Sequence, residues 1–371
     1  MNLVIGALPY FGIAFILSLL MVPIAKKIGF ALGIYAVENK RTVHHGKIVR
    51  FGALAIFLSF VITMSLLVKA DKTINAIMIG GLIVFLGGVL DDMFDLRPIV
   101  KLVFIMVGAL IPIIFGGIQL EVISLPFITI DIRAISFLVS FVWIIGVSNA
   151  INLIDGLDGL SAGISFIVLC VIGLIGFFMG RRDICVMSLI LSGAILGFLP
   201  YNFHPASIFM GDCGALFIGY MIACLGLLGF KTSTFITLGF PIIILFVPLA
   251  DTCLAIIRRK LKGQRITEAD KSHLHHVLMY KIGLSHRNTV LLLYFVTFCF
   301  GVCAIVTYFN ELLGMIMLVL LSFVAWMFIE LTGMINPKFH PIIGFLRRTI
   351  GHPIKSDDAF FEANKIHHSD K

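Results

Sequence analysis

Eleven apolar stretches alternate with short polar segments along the chain, at about residues 3–25, 51–69, 74–90, 99–116, 134–152, 159–180, 184–200, 214–230, 235–257, 288–310 and 312–332. A helix needs about 17 to 25 predominantly apolar residues to cross the hydrocarbon core of a bilayer. The pattern therefore predicts an all-α polytopic membrane protein with about eleven transmembrane helices, the shorter of them open to merging or to turning back. One segment has a different period. Gln119-Leu-Glu-Val-Ile-Ser124 and Ile128-Thr-Ile-Asp131 alternate around Pro126, which predicts a small structural hairpin.

Composition narrows the class. Of 371 residues, 60% are hydrophobic and 13% charged, and the mean hydropathy is +1.09. Soluble domains carry about 45 to 50% apolar residues, so a soluble globular fold is excluded. The net charge of +8 suggests nucleic acid only until its location is traced. Assigning the loops alternately to two sides puts 22 of the 28 Lys and Arg residues on one side and 6 on the other. That asymmetry marks the first side as cytoplasmic, places the N-terminus outside and the C-terminus inside, and makes the basicity a topology signal. The lipid bilayer is the expected partner, and nucleic acid is not. The first stretch has no basic leader or small-residue cleavage site, so a retained helix with no soluble domain before it is expected. Seven cysteines lie mostly within the stretches without Cys-x-x-Cys spacing, as core packing would leave them.

The same alternation brings the polar clusters to one face. Residues 38–50, Asp91 to Lys101, Asn149 to Asp158, Asn202 to Asp212 and Arg258 to His276 all fall on the cytoplasmic side. The domain reading is a single transmembrane catalytic domain, 1–335, with cytoplasmic loops at 26–50, 91–101, 149–158, 200–213 and 258–287, and a basic cytoplasmic tail, 336–371. In Asn149-Ala-Ile-Asn152-Leu-Ile-Asp155-Gly-Leu-Asp158-Gly, four polar residues recur every third position. On one helix their oxygens would converge on a cation or phosphate; a helix cap would account for one of them, not four. Asp91, Asp92 and Asp95 crowd carboxylates that repel unless a cation or proton intervenes, and Arg97 and Lys101 supply positive charge suited to phosphate. Asn202, Phe209 and Asp212 set an amide, a ring and a carboxylate between helix breakers, which suits a nucleobase. His273, His275 and His276 follow a basic run. Three histidines without a cysteine or carboxylate rarely make a zinc site, so hydrogen bonds to phosphate or sugar are the better reading.

Together these segments resemble the polyprenyl-phosphate N-acetylhexosamine-1-phosphate transferases over nearly the whole chain. The Asp91-Asp92 pair, the Asn149 to Leu160 motif, Ile208-Phe-Met-Gly-Asp212 and His273-Leu-His-His276 occur in the family's order. The histidine run followed by Gly283-Leu-Ser-His-Arg287 looks like the WecA/TagO branch rather than the MraY branch, which takes UDP-MurNAc-pentapeptide. The resemblance implies transfer of N-acetylhexosamine 1-phosphate, GlcNAc 1-phosphate first, from a UDP-N-acetylhexosamine to undecaprenyl phosphate. UMP is released, and the lipid product starts a cell-envelope glycan such as teichoic acid or O-antigen, at a bacterial cytoplasmic (inner) membrane.

By the same resemblance Asp212, with Asn152 near it, holds magnesium, or manganese in its place. Phe209 stacks on uracil, Asn202 and Asp158 line the nucleoside pocket, and Lys101, Arg259 and His273 contact the diphosphate. Asp91 and Asp92 sit where the lipid phosphate enters, with Asp91 the candidate base. Asp155 joins Asp91, Asp92, Asp158 and His273 as catalytic, and Asn149, His275 and His276 join the substrate-binding set. Two departures stand out: Ala215 replaces the family's usual serine, and the 41–53 loop lacks its prolines and second glycine. Alternatives are another donor such as UDP-MurNAc-pentapeptide and an intramembrane prenyltransferase, whose aspartate-rich motif Asp91-Asp92-x-x-Asp95 matches. A homodimer is compatible with the sequence.

Overall fold

The computed structural model describes residues 2–36, 47–125, 128–230, 239–261, 263 and 273–332. The loop 37–46, the run 264–272 and the tail 336–371, all singled out above, lie outside the described residues. The elements in order are α1 (Asn2–Ala31), the paired β1 (Tyr35–Ala36) and β2 (Ile48–Val49), α2 (Ala53–Leu67), α3 (Lys72–Phe94) and α4 (Pro98–Ile114). A hairpin of β3 (Val122–Leu125) and β4 (Ile128–Asp131) follows, then α5 (Ser136–Leu153), α6 (Leu160–Phe178), α7 (Arg182–Asn202) and α8 (Asp212–Phe230). The last elements are α9 (Gly239–Ile244), α10 (Phe246–Leu261), α11 (Leu274–His276), α12 (His286–Phe309) and α13 (Glu311–Thr332). The chain divides into a unit Met1–Val319, which holds everything argued below, and a unit Leu320–Lys371. In the second unit Trp326 Nε1 donates to Glu330 Oε1 at 2.5 Å within α13.

Ten of the eleven apolar stretches become one helix each. Among the described residues eight helices (α1, α3, α5, α6, α7, α8, α12 and α13) are long and apolar enough to cross a membrane, while α2 and α4 are apolar but shorter. The stretch 235–257 departs from expectation. It forms two helices that break at Leu245, and Asp251, Arg258 and Arg259 are buried along α10. Pro241 and Pro248 lack the amide protons a continuous helix would use, and the buried charges draw α10 toward protein rather than lipid.

Of these helices, α8 is the axle. Its apolar window is 94% buried, and α3, α5 and α6 pack around it. Small residues permit the approach: a Cβ at Gly88 of α3 would lie 2.3 Å from Cys213 Cα, and one at Gly219 of α8 would lie 2.8 Å from Ser148 Cα of α5. The outer helices turn apolar side chains outward, with Leu20, Ile99 and Phe295 each 63% exposed, as a hydrocarbon surround requires. The β3–β4 hairpin forms as its alternation predicts. The β1–β2 pair was not foreseen, and it carries Arg50 to the site.

Candidate active site

The N-terminus of α8 gathers the polar ends of its neighbours. Asp92, near the end of α3, accepts the amides of Asp212 (2.9 Å) and Cys213 (3.0 Å), so a carboxylate meets the positive end of the α8 dipole. Gly211, at φ +84°, makes this turn possible; a Cβ there would lie 2.3 Å from the Arg50 carbonyl and 2.6 Å from Asp92 Oδ2. Asp212 in turn accepts from Lys101 Nζ at 2.6 Å through Oδ2 and from Asn152 Nδ2 at 2.7 Å through Oδ1. Lys101, in the first turn of α4, is also 2.6 Å from Asp91 Oδ2. One ammonium thus bridges two carboxylates. Asp91 takes the Leu96 amide at 3.0 Å on its other oxygen, so both its oxygens accept hydrogen bonds, and it is not among the cavity-lining residues.

The four-residue stack expected on one helix does not form, because α5 ends at Leu153. Asn149 turns its amide back to the Ile145 carbonyl at 2.8 Å, one turn earlier on the same helix, and is not among the cavity-lining residues. Asp155 and Asp158 lie in the α5–α6 loop instead. Asp155 lines the cavity; burial first, then the Asp212 and Asp92 carboxylates, push its carboxyl up to about 8. Asp158 Oδ2 lies 2.8 Å from His204 Nδ1 and accepts the Ala206 amide at 3.1 Å. The His204 ring stacks on His286 of α12 at 4.1 Å. Asp158, His204 and His286 could each offer a metal one ligand atom, all within 4.8 Å of one another, but the hydrogen bonds already account for Asp158 and make the group a brace between three segments. Asn202 is buried and consumed in the same brace, accepting from the Gly159 amide (3.1 Å) and donating to the Ile208 carbonyl (3.0 Å).

The α7–α8 segment is zipped to β2. Phe209 N donates to the Val49 carbonyl at 2.8 Å, and the Gly52 and Ala53 amides donate to the carbonyls of Phe209 (2.9 Å) and Met210 (3.1 Å). A cavity of about 610 Å³ opens among these pieces, lined by Arg50, Asp92, Asp155, Asp158, Phe209 and Asp212. The volume suits a nucleotide-sized ligand. Its lysine and arginine lining is Arg50 alone among the described residues, against four aspartates.

The histidine loop reaches the cavity in part. His276 lines it together with Tyr280, and their rings stack at 5.7 Å. His275 is buried, its Nε2 packed where a Cβ on Gly156 would meet it at 2.6 Å. Burial and then the neighbouring His276 hold the His275 imidazole down to about 3, so it is neutral at pH 7. His273 and Arg259 are buried and are not cavity-lining residues; His273 is bound instead to Asp251. Of the assigned residues, then, Asp92, Asp155, Asp158, Asn202, Phe209, Asp212 and His276 line one cavity, while Lys101 and Asn152 join it through Asp212. Sequence reasoning missed Arg50, His204, Asp251, Tyr280 and His286. His286 stood inside a quoted motif and His204 within the Asn202 to Asp212 segment; Asp251 stood within an apolar stretch, and its isolation there was the available signal.

Helices long and apolar enough to cross a membrane, with a carboxylate-rich, nucleotide-sized cavity, define an integral membrane protein whose site suits a cation or a phosphorylated ligand. Residues 74–230 match the glycosyl transferase family 4 description. The chain is 41% identical over 347 residues to a probable undecaprenyl-phosphate N-acetylglucosaminyl 1-phosphate transferase of Bacillus subtilis, covering 91% of this chain and 96% of that one. It is 32% identical over 297 residues to the decaprenyl-phosphate N-acetylglucosaminephosphotransferase of Mycobacterium tuberculosis, covering 71% and 73%. Similarity to the phospho-N-acetylmuramoyl-pentapeptide-transferase of Listeria welshimeri, 37% over 161 residues, reaches 43% of this chain and 49% of that one. The chain belongs to glycosyl transferase family 4, among the multi-pass polyprenyl-phosphate N-acetylhexosamine-1-phosphate transferases of bacteria.

Proposed function

We propose that the protein transfers GlcNAc 1-phosphate from UDP-GlcNAc to undecaprenyl phosphate at the cytoplasmic face and releases UMP, the first step of an envelope glycan. The observation that carries this reading is the junction at Asp212, where Lys101, Asn152 and the Asp92-capped end of α8 meet at the wall of a cavity that also holds Phe209. The Phe209 to Asp212 wall is what a prenyltransferase would not need. The relatives similar over most of this chain are named for GlcNAc phosphate transfer, whereas likeness to the pentapeptide transferase is confined to less than half.

In this mechanism an oxygen of the lipid phosphate attacks the β-phosphorus in line. The bond from that phosphorus to the oxygen bridging the α-phosphate breaks, and UMP carries the electron pair away. A phosphate monoester already bears the attacking anion, so the chain needs to orient it and to neutralise charge rather than to remove a proton. Lys101 draws the acceptor phosphate to the Asp212 junction, Arg50 offsets the donor diphosphate, and Phe209 holds the uracil. The donor set suits magnesium. Asp212 offers hard carboxylate oxygens to the cavity, its side chain being 37% exposed, in a group of aspartates that outnumbers its cations. Asp212 would hold the ion, which when bound would supply positive charge to offset that of the diphosphate and of the leaving UMP. Asn152, with its amide nitrogen on Asp212 Oδ1, orients that carboxylate.

Purified protein incubated with undecaprenyl phosphate and a panel of UDP-sugars should release UMP with UDP-GlcNAc. Turnover of UDP-MurNAc-pentapeptide alone would overturn the donor assignment. A second outcome concerns the ring in the cavity wall. Phe209→Ala should weaken donor binding by about 1 to 3 kcal/mol, the range for a base stacked on an aromatic side chain, and should appear mainly as a raised donor KM. An unchanged KM would return Phe209 to packing.

A further inference from the structure

We infer that Asp251 is a positioning residue for His273, fixing the tautomer and tilt of the first ring in the histidine row that ends at cavity-lining His276; this rests on the transferase reading above. Asp251 lies in the middle of α10, 1% exposed, far along the sequence from the histidine motif. Its Oδ2 is 2.8 Å from His273 Nδ1, and its Oδ1 accepts the Leu274 amide at 2.8 Å. A carboxylate can only accept, so the proton of this contact sits on Nδ1, and Nε2 is the nitrogen turned away from Asp251. The second bond explains why the arrangement is directional. With Oδ1 pinned to backbone, the carboxylate cannot rotate, and the ring is fixed in both tilt and tautomer. His273 is 7% exposed, and the parallel ring of His275 at 5.9 Å continues the row toward His276 and the cavity. A carboxylate placed in this helix is costly to bury, and it is held by both the His273 ring and the Leu274 amide.

The two bonds can be separated by substitution. Asp251→Asn keeps the shape but supplies one acceptor and one donor where two acceptors stood, so His273 loses its fixed tautomer. Leu274→Pro removes only the backbone amide. Leu274 is the first residue of α11, where proline is tolerated, and His273 already has φ −60° and ψ 152°, the extended geometry required before proline.

The experiment measures UMP release and thermal midpoint in detergent for wild type, Asp251→Asn, His273→Asn, the double variant and Leu274→Pro. Asp251→Asn should lower kcat by about 10- to 100-fold, as loss of an orienting partner does, with donor KM within about twofold of wild type. Added to His273→Asn it should cost nothing further, because both act through one ring. Leu274→Pro keeps the Oδ2–Nδ1 bond that sets the tautomer and loosens only the tilt, so its loss of kcat should be clearly smaller than that of Asp251→Asn. Additive losses in the double variant, or a Leu274→Pro loss equal to that of Asp251→Asn, would reduce Asp251 to a helix cap and overturn the proposal. Absence of UMP release from the wild type would instead sink the transferase reading, a distinct failure.

Discussion

Asp212→Asn is expected to lower turnover by on the order of 10²- to 10³-fold, the cost of removing one preorganised electrostatic element from a site. Asp212 ties α3, α4 and α5 to the start of α8. It accepts from Lys101 and Asn152, and its own amide is held by Asp92. An asparagine would turn an NH2 group toward one of those two donors and delete the negative charge that a divalent cation would use. The variant should fold, since α8 keeps its apolar packing and its Asp92 cap. Activity and donor affinity measured across a magnesium titration form the check. A variant with normal activity and an unaltered metal requirement would move the ligand role to Asp155 or Asp92.

Lys101→Met should lose both activity and stability, for a reason readable from exposure. The Asp91 side chain is 5% exposed, and Lys101, itself 20% exposed, is its short-range cation. Removing one partner of a buried pair costs about 3 to 5 kcal/mol; the low end applies, because Lys101 retains contact with water. The fall should appear as a lower thermal midpoint even without substrate. Adding Asp91→Asn to Lys101→Met should restore much of the midpoint by removing the stranded charge, yet leave turnover low, since Lys101 also serves Asp212. If the single variant were as stable as wild type, the bridge between Asp91 and Asp212 would not be what holds α3, α4 and α8 in register.

Helix positions were legible wherever an apolar run was long and uninterrupted. The ninth stretch misled because hydropathy averages over Pro241, Pro248 and Asp251, while a helix is sensitive to each of them singly. Three-residue spacing overstated Asn149, since a shared face requires a helix that continues, and α5 stops at Leu153. Asp212, Phe209 and Asp92 were found because carboxylates and breakers at the end of an apolar run are costly without a use. The contribution of Arg50 was hidden. It depends on backbone zipping between β2 and the Phe209 segment, a pairing of two-residue strands that leaves no period to read. The Asp251–His273 bond was equally invisible, because its partners lie on separate elements whose meeting is a matter of tertiary packing.

The β3–β4 hairpin joins the ends of α4 and α5 that lie away from Lys101 and Asn152. Each helix supplying the site delivers its functional residue at one extremity, so the hairpin is separated from the chemistry by the full length of two helices. This makes it a natural handle for protein engineering. A fluorophore, an affinity tag or a crystallisation partner grafted at this turn can report on or immobilise the enzyme while the catalytic extremity keeps its shape.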